Sequence, residues 1–425
     1  MGADTARLDD ARGLDASDPL RELSNEFALP HDGRGNRLVY LCGHSLGPLP
    51  LAARTVVDEE LDDWARLAVG GHERARRPWI AYVEQLHPDL ERLCGARPGE
   101  VVAMNSLTVN LHLMLASFYR PAGRRTRILI ESGAFPSDRH AVASQIAWHG
   151  LDPRTELIEL APPPGRSLLE PAAISEVLRT RGEEIALVLW PGVQYLTGQA
   201  FDLAAIARAA RSAGAVAGFD LAHAIGNLPL QLHDAGADFA VWCGYKYLNG
   251  GPGALAGCFV HERHGTDPLI PRLAGWWGHE AATRFAMGPQ FRAAHGAQGW
   301  QVSNPPILSS APLVASLAIF RRAGLERLRV KSLALTSYLE SLLRALPVSL
   351  VTPSDPSARG CQLSIRLDGP AGRGRTVLQM LQTAGIACDW REPDILRVAP
   401  APLYNRFEDA LRFAQSLAEA LHVAP

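Results

Sequence analysis

Gly218-Phe-Asp-Leu-Ala-His-Ala-Ile-Gly-Asn227, followed by Asp238-Phe-Ala-Val-Trp-Cys-Gly-Tyr-Lys-Tyr-Leu-Asn-Gly-Gly-Pro-Gly253, decides the fold. Each stretch opens with a short apolar run, Ala215–Phe219 and Phe239–Cys243, that reads as a buried strand. The first run ends on a carboxylate, Asp220, and the second leads into Tyr245 and Lys246. Gly250, Gly251 and Gly253 then let the backbone approach another group closely. In an open α/β sheet, ligands lie beyond the carboxyl ends of the strands. An acid and a lysine at two such ends therefore face one site.

That pair suits pyridoxal 5'-phosphate. The cofactor's aldehyde condenses with a lysine amine, and an acid at the ring nitrogen keeps the ring protonated and electron-withdrawing. A buried Asp220–Lys246 ion pair would satisfy the same two residues. Other positions carry similar double readings. Asn105, Ser106 and Thr108 are helix-capping types, and a helix start with free N–H groups also binds phosphate. Phe135 reads as core, or as the apolar face that holds a pyridine ring flat. Arg397, in the apolar strand Ile395–Val398, fits a salt bridge to Asp394 or Glu392, or a fork gripping a substrate carboxylate. Gly43-His-Ser-Leu-Gly47 follows a strand and precedes a helix, the context of a hydrolase nucleophile elbow with Ser45 as nucleophile. No HGGG-type oxyanion stretch accompanies it, so backbone punctuation is the better reading.

Phe219-Asp-Leu-Ala-His-Ala224, Trp242-Cys-Gly-Tyr-Lys-Tyr-Leu-Asn249, Ser303-Asn-Pro-Pro-Ile307 and Asp394-Ile-Leu-Arg-Val-Ala-Pro-Ala-Pro-Leu-Tyr-Asn405 resemble the kynureninase family. With further matches the resemblance runs from about residue 38 to 405. It implies an α/β chain of the pyridoxal-phosphate-dependent aminotransferase fold (fold type I). A large domain over 38–308 would hold a mainly parallel sheet, and a smaller α+β domain would occupy 309–425. An arm over 1–37 would join the small domain. The implied activity is hydrolysis of L-kynurenine or 3-hydroxy-L-kynurenine in a homodimer with shared active sites. Lys246, Tyr245 and Asp220 are the implied catalytic residues. Leu107 and Thr108 fall on the cofactor phosphate, Phe135 over its ring, and Asp138 and His223 beside it. Trp276 and Asn304 reach the cofactor and substrate of the neighbouring subunit. Ser45, His72, Ser303 and Arg397 fall on the substrate, Arg397 on its α-carboxylate. Pro191 departs from the family pattern, standing where a serine or threonine usually contacts the cofactor, and it offers neither hydroxyl nor N–H. Other enzymes of the same fold, cysteine desulfurases among them, remain the alternative. A desulfurase needs a mobile thiol, and the late candidates are Cys361 and Cys388.

The bulk numbers bound the rest. With 425 residues, 47% hydrophobic and 20% charged, the chain suffices for two domains of ordinary globular type. A formal net charge of −2 without a basic block argues against nucleic acid. No apolar run is long enough to span a membrane, and the polar N-terminus shows no signal segment, so a cytoplasmic protein is expected. Six cysteines without a CxxC read as reduced core thiols, with no metal site expected. His261 and His264 have ligand spacing but sit in a polar turn, where exposure is expected. Before residue 38 only a short helix near Pro19–Ala28 is expected. Helical periodicity from about Ala311 to Leu346 breaks at Gly324.

Overall fold

The computed structural model describes residues 2–267, 269–370 and 372–424. Its centre is a seven-stranded sheet of β1 (Val101–Ala103), β2 (Arg127–Glu131), β3 (Leu157–Leu160), β4 (Ile185–Pro191), β5 (Val216–Asp220), β6 (Phe239–Trp242) and β7 (Gly257–Val260). The spatial order is β1-β7-β6-β5-β4-β2-β3, with β7 antiparallel to both neighbours and every other pairing parallel. The central strands are apolar at nearly every position because helices cover both faces.

Local chemistry sets the connections. Helix Leu203–Ala213 starts where the Asp202 carboxylate accepts from Ala205 N and stops at Gly214 in left-handed conformation. Leu203, Ile206, Ala207 and Ala210 form its buried stripe. This helix returns the chain from β4 to β5. Inside the sheet Gly218 is required by packing, since a Cβ there would stand 2.1 Å from the Phe239 ring.

A second sheet is antiparallel, in the order Ser349–Leu350, Leu363–Arg366, Ile395–Val398, Asp389–Arg391. Helices Leu325–Leu343, Arg373–Thr383 and Phe407–Val423 pack with it around a separate core of Leu339, Ile365, Leu396 and Phe413. The break at Gly324 falls as expected, between Ile307–Ala323 and Leu325–Leu343.

Several expectations need correction. Val39–Tyr40 pairs in parallel with Ile386–Ala387, and Val39 and Leu41 belong to the small core, so this part of the 38–308 stretch lies with the C-terminal layer. Helix Ile307–Ala323 runs across the 308/309 boundary and packs on Leu51–Leu67. The N-terminal arm opens with a 16-residue helix, Gly2–Ser17, and the stretch expected as helix near Pro19–Ala28 is a 3-10 turn, Arg21–Glu26. The first helix is too polar to announce itself. Tertiary contacts hold it: Ala11 is buried against Leu335, Phe407 and Leu411, and Asp15 accepts from Phe407 N and Glu408 N. His261 is buried and His264 half-buried, against the expected exposure. Among the described residues no helix is long and apolar enough to cross a membrane.

Candidate active site

The carboxyl ends of β2, β4, β5 and β6 open into one pocket. Asp220 is the last residue of β5, Pro191 lies beside it at the end of β4, and Glu131 ends β2. After β6 the chain turns through Cys243 and Gly244 and presents Tyr245 and Lys246. The pocket's floor and walls include Leu107, Thr108, Phe135, Asp138, Asp220, His223, Tyr245 and Lys246. Eight positions named from sequence therefore converge.

The electrostatics are those of a buried acid cluster facing one lysine. Burial and the neighbouring Asp220 charge push the Asp138 carboxyl well above the usual range. Asp138 Oδ1 is buried with no hydrogen-bond partner. Glu131, 3% exposed, is pushed up to about 8 by burial; a bond to Gln194 opposes this and the Asp220 charge adds to it. Lys246 Nζ lies 3.1 Å from His223 Nε2 and 5.7 Å from the Phe135 ring centroid. Burial and the lysine charge hold His223 well below its ordinary value, so its imidazole is neutral. Tyr245 is raised by burial and by Cys243, which keeps its phenol protonated at neutral pH.

Helix Leu107–Phe118 points its start at the pocket. Its N-cap, Ser106, makes no side-chain cap bond, so the first N–H groups stay available to an anion. The Thr108 hydroxyl bonds Ser137 Oγ at 2.8 Å. A phosphate at this helix start, a ring N–H⁺ against Asp220 and the unpartnered Asp138 Oδ1, and an aldehyde at Lys246 would each meet a matching group. The residues present fit pyridoxal phosphate.

Arg397, 1% exposed, is not paired with Asp394 or Glu392 as the salt-bridge reading expects. Its partner is Asp389, directly opposite on the adjacent antiparallel strand. Nε donates to Asp389 Oδ1 at 2.7 Å, Nη2 donates to Oδ2, and Nη1 donates to the Tyr195 carbonyl at 2.6 Å. Guanidinium has five N–H donors, so a fork across Nη1 and Nη2 stays open. Burial alone would raise Asp389, but the nearby His44 and the Arg397 guanidinium that donates to it hold it well below the usual carboxylate range. His44 Nε2 stands 3.5 Å from Asp389 Oδ1, and burial pushes this imidazole down to about 4.

The turn Gly43–Gly47 is not a nucleophile elbow. Ser45 is exposed, and among the described residues its hydroxyl meets no histidine. The turn braces the lysine loop instead. Gly47 N donates to the Tyr245 carbonyl at 2.8 Å, and a Cβ at Gly47 would stand 2.4 Å from the Lys246 carbonyl oxygen.

Neither Ser45 nor Arg397 lines this pocket directly, Arg397 reaching it only through the Tyr195 carbonyl, and within one chain the structure does not bring His72, Trp276, Ser303 or Asn304 to it. His72 packs edge-on against Trp79. Trp276 contacts Trp277 and Phe285, and Trp277 N donates to the Val302 carbonyl, so the Trp276 loop and the 302–304 segment adjoin. All four residues are exposed. Sequence reasoning missed Glu131, Tyr195, His44 and Asp389. Glu131 carried a usable signal, an acid ending an apolar strand; Asp389 needed the strand register.

The desulfurase alternative lacks its thiol. Cys361 is fully buried and pushed up to about 12 by burial, and Cys388 is buried and raised as well.

The family described as "Kynureninase C-terminal domain" matches residues 328–417. A kynureninase of Xanthomonas euvesicatoria pv. vesicatoria (strain 85-10) is 57% identical over 96% of both chains, and one of Stenotrophomonas maltophilia (strain K279a) is 55% identical over 96% of both. Among solved structures, the cystine C–S lyase C-DES with cysteine persulfide aligns at TM-score 0.76 and 20% identity, covering 91% of this chain and 98% of that one. The cysteine desulfurase CsdA of Escherichia coli aligns at 0.75 and 18%, covering 95% and 98%. These two structures share the fold of the whole chain. Identity above one half over nearly the full length decides the narrower question: the chain belongs to the kynureninase family.

Proposed function

We propose that this chain hydrolyses L-kynurenine or 3-hydroxy-L-kynurenine at the Cβ–Cγ bond, giving anthranilate or 3-hydroxyanthranilate and L-alanine. The observation that carries the reading is Lys246 in one pocket with the Asp138–Asp220 pair, with Arg397 bonded to the carbonyl of Tyr195, which lines that pocket. Pyridoxal 5'-phosphate, when bound, supplies an electron sink for charge developing at the substrate's Cα and Cβ.

The chain's own residues divide the remaining work. Lys246 carries the cofactor, then takes the proton from Cα and returns it. Asp220 and Asp138 hold the proton on the ring nitrogen. Phe135 covers the ring, His223 sits beside the lysine, and Leu107 and Thr108 bind the phosphate at the helix start. Arg397 grips the α-carboxylate bidentately and orients the bonds that react. Water adds to the γ-carbonyl, and its oxygen leaves in the aromatic carboxylate. Tyr245, protonated at neutral pH, delivers a proton to Cβ as the Cβ–Cγ bond breaks. In this reading Ser45, exposed on the turn that braces the lysine loop, contacts the substrate.

The working form in this reading is a homodimer in the cytoplasm. A second copy brings its Trp276 and Asn304 to the cofactor and its Ser303 to the substrate ring, which His72 also meets. The polar His72–Ser303–Asn304 set favours the 3-hydroxy substrate, because a site built to pair a hydroxyl rejects its absence. The test is a paired assay of both substrates, quantifying alanine and aromatic product, with Lys246→Ala as control. Product from either substrate and a dead control support the reading. A protein with bound cofactor that cleaves neither substrate would move the function to another reaction of the same fold.

A further inference from the structure

At the opposite edge of the large sheet, far from Lys246 in the topology, three segments meet. Glu100 immediately precedes β1, His261 immediately follows β7, and His233 lies on the short helix Leu232–Ala235. β7 runs against β6, so its last residue, Val260, pairs with Phe239 at the start of β6. Lys246 lies past the other end of that strand. Among the described residues, these three offer His, Asp, Glu or Cys ligand atoms all within 4.8 Å of one another.

The distances have a simple meaning. His233 Nδ1 is 2.9 Å and His261 Nδ1 is 3.6 Å from the same Glu100 oxygen, Oε1. A tetrahedral ion with bonds of about 2.1 Å sets its ligand atoms about 3.4 Å apart. The two separations bracket that edge. The imidazole rings lie 4.6 Å apart with a 31° tilt, so both Nδ1 atoms face the carboxylate side by side. Glu100 is held in place, since Oε1 accepts from Glu262 N and Oε2 from Arg97 N, each at 2.7 Å. A carboxylate has about four lone-pair positions, so these bonds leave room for an ion. On the far side of the His233 ring, Nε2 faces Glu262 Oε1 at 4.0 Å. A carboxylate behind a ligating histidine fixes the ring and its tautomer. Two contacts must yield. His233 gives up its Nδ1–H bond to Glu100 and moves that proton to Nε2. His261 Nδ1 gives up a 3.3 Å bond from Arg263 N. His264, the other histidine of the turn, is committed to Asp238 at 2.7 Å and takes no part.

We propose that Glu100, His233 and His261 form a binding site for a divalent transition metal ion of the zinc class. Two imidazole nitrogens and one carboxylate oxygen select such an ion over calcium or magnesium, which prefer all-oxygen shells. Water takes the fourth corner. The ion clamps the segment before β1, the segment after β7 and the 232–235 helix to one another. It touches no reacting atom.

The test uses the cofactor-loaded protein, stripped of metals with a chelator and dialysed. Zn²⁺ is titrated calorimetrically into the wild type and into His233→Gln and His261→Gln, neither of which belongs to the catalytic machinery. Wild type binds one Zn²⁺ and gains melting temperature. Each variant keeps basal activity and binds at least about tenfold more weakly. Co²⁺ in the wild type adds visible absorption of a tetrahedral nitrogen–oxygen site without a thiolate charge-transfer band, a readout that stands even if a variant folds poorly. Equal Zn²⁺ affinity in wild type and both variants, or no Zn²⁺ and no Co²⁺ signal in the wild type, overturns the proposal.

Discussion

At the scale of single residues, the charges around the pocket make two separable predictions. The first concerns Asp389, which holds Arg397 with its free fork turned outward. Asp389→Asn keeps the shape but replaces one acceptor with an amide N–H, so the guanidinium loses its fixed orientation. In the proposed reading this raises KM by about tenfold or more while kcat falls less, because the lost interaction is a carboxylate grip. Steady-state kinetics decide it: a fall in kcat with unchanged KM would remove Asp389 from substrate positioning. The second concerns Glu131, whose folded value of about 8 lies above its ordinary 4.5. A raised acid contributes stability that is complete below pH 4.5 and is lost as pH rises to about 8. The unfolded chain releases its proton first. The loss amounts to as much as about 5 kcal/mol. Glu131→Gln flattens this decline in urea melts at pH 5 and pH 8, and parallel declines in both proteins would refute the assignment. Asp220 and Lys246 were legible because each ends an apolar run. Asp389 was not, since its pairing with Arg397 depends on strand register and both intervening sequence neighbours of Arg397 offer nearer acids.

At the scale of elements, close backbone contact explains why a turn that mimics a hydrolase motif lies where it does. Gly47 sits against the Lys246 carbonyl and the Asn249 side chain with no space for a Cβ. Gly47→Ala must push the lysine loop, because the obstacle is backbone and cannot rotate away. The expected result is a folded protein with cofactor affinity and kcat each reduced about tenfold, since a displacement of about an ångström near the reacting groups costs that much or more. Absorbance of bound cofactor and turnover measure it; unchanged values would mean the loop yields freely. The strands of the large sheet were readable for the same reason the site was, being continuous apolar runs with sharp polar ends. The first helix was not, because its residues carry little apolar periodicity and its partners are supplied by helix Phe407–Val423. The two-residue ribbons Phe27–Ala28 with Leu49–Pro50, and Val39–Tyr40 with Ile386–Ala387, are likewise beyond any local pattern.

At the scale of the whole molecule, five residues named for substrate contact are exposed within one chain, Ser45, His72, Trp276, Ser303 and Asn304, and Trp64 and Leu308 add apolar surface. If active sites are shared, defects in different halves of a site complement. Lys246→Ala co-expressed with a Trp276→Ala, Asn304→Ala variant gives mixed dimers holding one intact site. Activity then recovers to about a quarter of wild type at equal expression. Each parent alone is inactive or nearly so, and an inactive mixture would place each site within one chain. Such sharing is invisible to periodicity and composition, which report what is buried in a chain and nothing about where a second copy binds. The docking of Gly2–Ser17 on Phe407–Val423, together with the pairing of Val39–Tyr40 with Ile386–Ala387, has a consequence for biosynthesis. These early segments find their partners hundreds of residues later in the chain. They wait unpaired through the synthesis of the whole large sheet, so the small layer closes only once the 386–423 stretch has been made. Its closure is a late, long-range event whose rate is set by contacts between opposite ends of the chain.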